Sequence, residues 1–480
     1  MSDEQPAQEP DASVPGGEPA RDHSMLPLPG PSPLSPEAYA EAHSLEDFLL
    51  ALGRSQLAAG YAVDDVTTTL NSVARAYGRP DLNIAVLPGI VLVDDPLIGR
   101  ARVVSEGVGH TLRLDQAAAV HEVAAQARQG EISPREGTRI LDELPAKPPR
   151  FPLWASVLGY ALASAGFALI FRVSLWGIAM AAILGLFVGW LLVLTRNRPN
   201  LLPLVPLFAA IVSAFTVFGF ASLIDSEVQP LRVVVAPLIA LIPGAALTRA
   251  TQELASGHLI SGSSRLVAAI VQILVLTFGI LIGTLMARVS PYDISDVTVE
   301  QLPLWVAWIG AVVYAGGQAL AFNEPRGAIR YVVLLLLIAF SVQQLVAWRL
   351  DAVLAAGVAA AISLFLALLI QDRVRNGPPA FVLFTPVFWL LVPGSLGLVG
   401  ITEVITGAEA SDASAVPGQA QQSGLASIAD ITGSGYSGVL LTAGASIIAI
   451  TIGMQIASIA GRMIRRLPDL PEVKLPGVGR

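Results

Sequence analysis

The sequence contains no cysteine. Disulfides, a thiolate nucleophile and cysteine-ligated metal sites are therefore excluded, while the redox compartment stays open. Charge is also scarce, at 14% of the 480 residues against 54% hydrophobic. With a mean hydropathy of +0.64, that balance argues against an ordinary soluble enzyme and places the chain among membrane proteins. There is no dense basic cluster and the formal net charge is −8, so nucleic acid is not an expected partner. Residues 1–43 lack a basic start followed by an apolar stretch and a small-residue cleavage site. They are rich in Pro, Ala, Ser and Glu, which predicts a disordered tail rather than a standard signal peptide.

Residues 44–147 hold no apolar run long enough to cross a bilayer, and their apolar positions recur at helical or strand period. Ser44 with Asp47 has capping-box spacing, and Leu45, Phe48, Leu49 and Leu52 form one stripe ahead of Gly60. Val66, Leu70, Val73 and Tyr77 mark a second helix, with Asp64 and Asp65 placed to cap its start and Gly78 to end it. Leu82, Ile84 and Val86 alternate like a strand, and GIVLV at 89–93 is its expected neighbour. Helices follow near 115–129 and after Ser133-Pro134, where Glu136 completes a capping box ahead of Ile140, Leu141 and Leu144. The expectation is a small α+β domain that does not cross a membrane. His110 and His121 accompany the two aspartates without metal-ligand spacing, so neither metal nor hydrolase chemistry is expected there.

From residue 152 the pattern changes to apolar stretches of about 20 residues, the length a helix needs to cross about 30 Å of hydrocarbon. Ten are counted: near 152–171, 174–194, 201–223, 231–248, 263–286, 303–322, 329–348, 352–370, 380–400 and 437–460. With residues 44–147 inside, the inner loops and tail hold Arg196, Arg198, Arg249, Arg265, Arg326, Arg330, Arg373, Arg375, Arg462, Arg465 and Arg466. The outer loops hold only Arg172, Arg232, Arg288 and Arg349, together with Asp225, Glu227, Asp293, Asp296 and Glu300. The excess of arginine inside predicts both termini in the cytoplasm.

The two halves echo each other. LIPGAALTRATQELASG at 241–257 and LVPGSLGLVGITEVITG at 391–407 each carry Pro-Gly, a glutamate ten residues after the proline and a glycine four beyond it, at an offset of 393 − 243 = 150. GFALIF at 166–171 matches GQALAF at 317–322 at an offset of 317 − 166 = 151, and Thr277-x-Gly279 parallels Thr451-x-Gly453. Five spans are an odd number, so the second copy enters the membrane in the opposite sense, giving two inverted five-helix repeats over 150–286 and 303–462, with a cytoplasmic tail at 463–480. Transporters built this way bind substrate and coupling ion where helices are interrupted near the repeat interface. Each Pro-Gly is such an interruption, because proline removes a backbone donor and glycine accepts φ > 0.

GRSQLAAGYAVDDVTTTLNSVARAYG at 53–78, GTRILDEL at 137–144, five spans with the first Pro-Gly stretch and five more with LVPGSLGL together resemble the bacterial threonine/serine exporter family. The resemblance covers about residues 44–462 and lies in the order of features rather than in one motif. It implies a cytoplasmic N-terminal domain, ten transmembrane helices and export of threonine and serine driven by the proton gradient, without a fixed set of binding residues. A multi-pass protein of the bacterial inner membrane follows, with small amino acids, protons and lipid as partners, no cofactor and no metal. Oligomeric state is left open.

For such a zwitterion, half-helix amides after Pro243-Gly244 and Pro393-Gly394 could take the carboxylate, with Ser395 adding a hydroxyl, while Glu253 or Glu403 accepts the ammonium or a proton. Gln318, inside the second G-x-A-L-x-F and in the register of Phe167, is the strongest amide candidate, ahead of Gln272, Asn323, Gln343 and Gln344. His258 is a further proton-carrier candidate. The alternatives are export of another small solute, such as a dicarboxylate or peptide, and a membrane-embedded enzyme using residues 44–147. The latter requires a nucleophile or metal cluster that the sequence does not offer, so a non-enzyme is expected.

Overall fold

The computed structural model describes residues 36–105, 112–198, 200–224, 230–288, 302–325, 327–374, 377–391 and 436–465. Helix α1 (Pro36–Ala58) starts ahead of the expected point, because Pro36 suits a first turn and the Glu/Ala-rich residues after it favour helix. Ser44 is therefore inside the helix, and its hydroxyl donates to the Glu41 carbonyl at 2.8 Å instead of opening a capping box. Leu45, Phe48, Leu49 and Leu52 are buried as the stripe predicts. They pack with Val66, Leu70 and Val73 of α2 (Val63–Ala76) into a core separate from that of the apolar helices.

Strands β1 (Asn83–Leu87), β2 (Ile90–Asp95) and β3 (Arg100–Ser105) form an antiparallel meander. The third strand is absent from the sequence reading, since its arginines at 100 and 102 hide the alternation. Helices α3 (Leu114–Gln129) and α4 (Pro134–Glu143) complete this N-terminal unit. The start of α4 follows the sequence, with Ser133 Oγ accepting the Glu136 amide at 3.3 Å.

The remainder is helical: α5 (Leu153–Ile170), α6 (Leu175–Thr195), α7 (Val205–Ile224), α8 (Pro230–Leu238), α9 (Gly244–Ala255), α10 (Leu259–Met286), α11 (Trp305–Ala321), α12 (Ile329–Ala347), α13 (Ala352–Arg373), α14 (Ala380–Leu391) and α15 (Tyr436–Arg465). Among the described residues, seven helices are long and apolar enough to cross a membrane; α11 and α14 are apolar but shorter. The stretch 231–248, expected as one span, is instead divided between α8 and α9.

Helices α5 and α11 lie antiparallel, meeting through glycines. A Cβ added to Gly159 would fall 2.8 Å from the Gly317 oxygen, and one added to Gly310 would fall 2.7 Å from the Gly166 oxygen. Shifting one contact by 151 residues yields the other (159 + 151 = 310; 166 + 151 = 317). The helix ends repeat in the same way. Arg172 (φ 58°) and Asn323 (φ 53°) both adopt the left-handed conformation that ends a helix. The next residues bond back alike: Val173 N to the Ala168 oxygen at 3.3 Å, and Glu324 N to the Ala319 oxygen at 3.1 Å.

The segments that precede the two helices complete the exchange. Leu302 N donates to the Arg172 oxygen at 3.2 Å, and Phe151 N donates to Asn323 Oδ1 at 3.0 Å. Farther along the chain, a Cβ on Gly279 would meet the Leu207 oxygen at 2.8 Å and the Ile211 nitrogen at 3.4 Å. One on Gly453 would meet the Gly357 oxygen and, at 3.3 Å, the Ala361 nitrogen, both partners lying 150 residues on (207 + 150 = 357; 211 + 150 = 361). These close approaches leave room for no side chain, and small residues at such seams are how helices associate in lipid.

Candidate functional site at the broken helix

The Pro-Gly stretch does break the helix. Helix α8, with Pro237 inside it, stops at Leu238, and α9 begins at Gly244 with Pro243 as its N-cap (φ −81°, ψ 37°). The break frees backbone groups that lipid could not satisfy. One, the Leu241 carbonyl, accepts Gln272 Nε2 from α10 at 3.1 Å, which gives Gln272 a structural task. One turn into α9, the Thr248 hydroxyl is buried with no hydrogen-bond partner among the described residues.

Glu253, near the end of α9, is 1% exposed and is not a loop glutamate. Its Oε1 accepts the Val63 amide at 3.3 Å; its Oε2 accepts the Ser261 hydroxyl at 2.7 Å. Arg265 Nε stands 3.1 Å from Oε2 but without hydrogen-bond alignment, so that pair is Coulombic. Val63 is the first residue of α2, whose N-cap Ala62 supplies no side-chain bond. The expected capping by Asp64 and Asp65 is thus replaced by a carboxylate 190 residues away. A negative group is favourable there because the first amides of a helix are unpaired and carry its positive dipole end.

The N-terminal unit is seated around this contact. Gly60 (φ +84°) brings its backbone against Arg249 of α9, where an added Cβ would lie 2.7 Å from Nη1; any side chain at 60 would be both strained and obstructed. The Tyr61 ring sits 4.8 Å from Phe381 of α14, with its hydroxyl 3.2 Å from His121 Nδ1. Asp65 interacts electrostatically with Arg249 and with Arg462 of α15. His258 Nε2 is 3.5 Å from Asp64 at the surface, an ion-pair position rather than an isolated proton carrier. On the other side, Leu114 and Ala118 of α3 pack on the apolar core, and Leu114 N donates to the Phe322 carbonyl at 3.3 Å.

Gln318 is 1% exposed, and its Nε2 donates to the Tyr314 hydroxyl at 2.5 Å, leaving Oε1 without a hydrogen-bond partner among the described residues. Phe167, its register mate, packs edge-on against the same Tyr314 at 5.5 Å. Pro393, Gly394, Ser395 and Glu403 lie outside the described residues. Sequence reasoning missed Arg249 and Arg265 as partners, and Glu324, a fully buried carboxylate after α11. It also missed Ser213 of α7 and Ser363 of α13. Both hydroxyls are buried without a hydrogen-bond partner among the described residues, and the two serines are 150 residues apart (363 − 213 = 150). The shared offset was the signal that could have found them.

A helical membrane protein with a broken helix capped by an N-terminal α+β unit narrows the class, and sequence comparison decides the family. The profile of ThrE, the threonine/serine exporter family, matches residues 47–287, which is 241 of the 480 residues (287 − 47 + 1 = 241). The chain belongs to the threonine/serine exporter family. It is 24% identical over 249 residues to the "Probable threonine/serine exporter" of Mycobacterium tuberculosis, a match covering 50% of this chain and 45% of that protein. It is 26% identical over 252 residues to "Pheromone-regulated membrane protein 10" of Eremothecium gossypii, covering 51% of this chain and 34% of the relative. The protein of the same name in Saccharomyces cerevisiae is 29% identical over 167 residues, 34% of this chain and 44% of the relative. The matches thus span less than half the length of these relatives. No solved structure gives a significant match.

Proposed function

We propose that the chain is a secondary active exporter of small hydroxy amino acids, threonine and serine, driven by the proton gradient across a bacterial plasma membrane. Ten crossings in two inverted five-helix halves, over 150–286 and 303–462, form the pathway, and the unit at 44–147 faces the cytoplasm with both termini. The observation that carries the reading is the two-fold reciprocity between α5 and α11 around a broken fourth helix, in a member of the threonine/serine exporter family. Inverted repeats with interrupted helices are the architecture of many secondary transporters. No comparable observation favours an enzyme.

The buried hydroxyls of Ser213, Ser363 and Thr248, unpartnered among the described residues, suit a substrate that itself carries a hydroxyl, an ammonium and a carboxylate. In liposomes holding the purified full-length protein, an imposed pH gradient is expected to drive labelled threonine, with serine competing. Ser213→Ala combined with Ser363→Ala removes two neutral hydrogen bonds of about 0.5–1.5 kcal/mol each, raising the apparent Kd for threonine by about 2- to 12-fold per site. Absence of gradient-dependent flux across a panel of small amino acids would sink the export reading. Unchanged threonine affinity in the double variant would remove the serines from the site.

A further inference from the structure

Two buried carboxylates occupy the end of the membrane core that carries the N-terminal unit, and their environments are opposite. Glu253 is held by an amide, a hydroxyl and an arginine. Glu324 is 0% exposed, yet neither carboxylate oxygen has a hydrogen-bond partner among the described residues. The turn after α11 puts it there: Asn323 takes the left-handed conformation, the Glu324 amide closes back on the Ala319 oxygen, and Pro325 prevents the helix from continuing.

The turn after α5 offers a direct comparison. In the matching turn after α5, the residue bonded back in the same way is Val173 (173 + 151 = 324), also 0% exposed. A carboxyl therefore stands where the related turn buries an isopropyl group. An ion there would be costly, because a buried charge needs hydrogen-bond partners and this one has none among the described residues.

The charged and titratable groups around it do not supply them. Arg150, from the segment before α5, donates Nη1 to the Glu324 main-chain oxygen at 2.8 Å, not to its carboxyl. Arg113, the N-cap of α3, and Asp115 within it pair with each other at 3.0 Å, and Arg330 of α12 donates to the Tyr331 hydroxyl at 2.9 Å. Tyr160 of α5 faces Phe322, and the Tyr314 hydroxyl of α11 is engaged by Gln318. Arg326 lies outside the described residues.

We propose that Glu324 is a proton-binding site: its carboxylate takes a proton from the adjoining aqueous phase to form the neutral acid in the buried state described here, and returns it when this end of the α5–α11 pair opens to water. The inference rests on the proton-coupled export reading for its transport consequence, and on geometry alone for the protonation. Burial pushes the carboxyl up to about 8, Arg150 opposing and losing. The folded protein therefore holds a proton that the unfolded chain gives up, and its stability falls as pH rises toward and through about 8.

The test uses full-length protein, Glu324→Gln, and Glu324→Val, which copies Val173 and so should fold. Infrared difference titration of the solubilised protein is expected to show a protonated carboxyl band lost with a midpoint near pH 8, missing in both variants. Persistence of that band in the variants, or its absence from the parent, would overturn the proposal. In liposomes, Glu324→Gln is expected to keep threonine exchange while losing at least about 10-fold of pH-gradient-driven accumulation, equivalent to about 1.4 kcal/mol. Accumulation at the parental level would contradict a coupling role. If the parent moves no threonine at all, the export reading fails instead, and the infrared result alone decides the proton site.

Discussion

Glu253→Ala is expected to release the N-terminal unit from the broken helix and to destabilise the protein by about 3–5 kcal/mol, the usual cost of removing one partner from a buried ion pair. The substitution leaves the Val63 amide and the Ser261 hydroxyl without their acceptor and Arg265 without its counter-ion. Glu253→Gln keeps one acceptor oxygen while losing the charge and the second acceptor, so a smaller loss of about 1.5–3 kcal/mol is expected. The readouts are thermal midpoint in detergent and limited proteolysis between α4 and α5, residues 144–152. Cutting there should accelerate in Glu253→Ala and little in Glu253→Gln. Equal resistance of Glu253→Ala and the parent would show that α9 does not hold α2.

The second large effect is expected at the seam of α5 and α11. Gly166 and Gly317 are counterparts in the two G-x-A-L-x-F motifs, and a Cβ on either would collide with backbone of the facing helix, at Tyr314 and Ala163 respectively. Backbone cannot step aside as a flexible side chain can, so Gly166→Val and Gly317→Val should each cost about 1–3 kcal/mol or more. The pair together should prevent recovery of a monodisperse protein in detergent. Because the two contacts exchange under a 151-residue shift, the single variants should be affected to a similar degree. A strong defect in one and none in the other would argue against equivalent packing.

Much of this was legible. The Pro-Gly stretch announced a helix break, since those two residues remove a donor and relax φ, and α8 and α9 part at that point. The G-x-A-L-x-F echo marked two helices that pack on each other through the glycines of the motif. A stronger echo went unread: P-L-W occurs at 152–154 and again at 303–305, and Trp154 and Trp305 are both exposed at opposite ends of the antiparallel pair, as interfacial tryptophans are.

What stayed hidden depended on groups distant in the chain. Glu253 was singled out, but its partner is a backbone amide 190 residues away, and no spacing rule reports that. Asp64 and Asp65 had the right composition for a cap and were displaced by tertiary contact. Glu324 lies in a polar Asn-Glu-Pro-Arg run just after a span, where no spacing marks it for burial; the left-handed turn at Asn323 folds it inward. Ser213 and Ser363 were two serines among many in apolar helices; they share the 150-residue offset of the Pro-Gly stretches, but only the structure shows that both hydroxyls are buried.

The central claim is that one helical unit is used twice in opposite senses, with the N-terminal unit at one end. The cysteine-free sequence allows a direct test, because a single introduced thiol has no background. Leu153 and Leu304 are counterparts (153 + 151 = 304), and both are exposed. Leu153→Cys and Leu304→Cys, each in otherwise intact protein in sealed right-side-out membrane vesicles, are to be labelled with a membrane-impermeant maleimide. Leu304→Cys should label from outside, while Leu153→Cys should label only after the vesicles are opened. Labelling of both from the same side would contradict the inverted repeat.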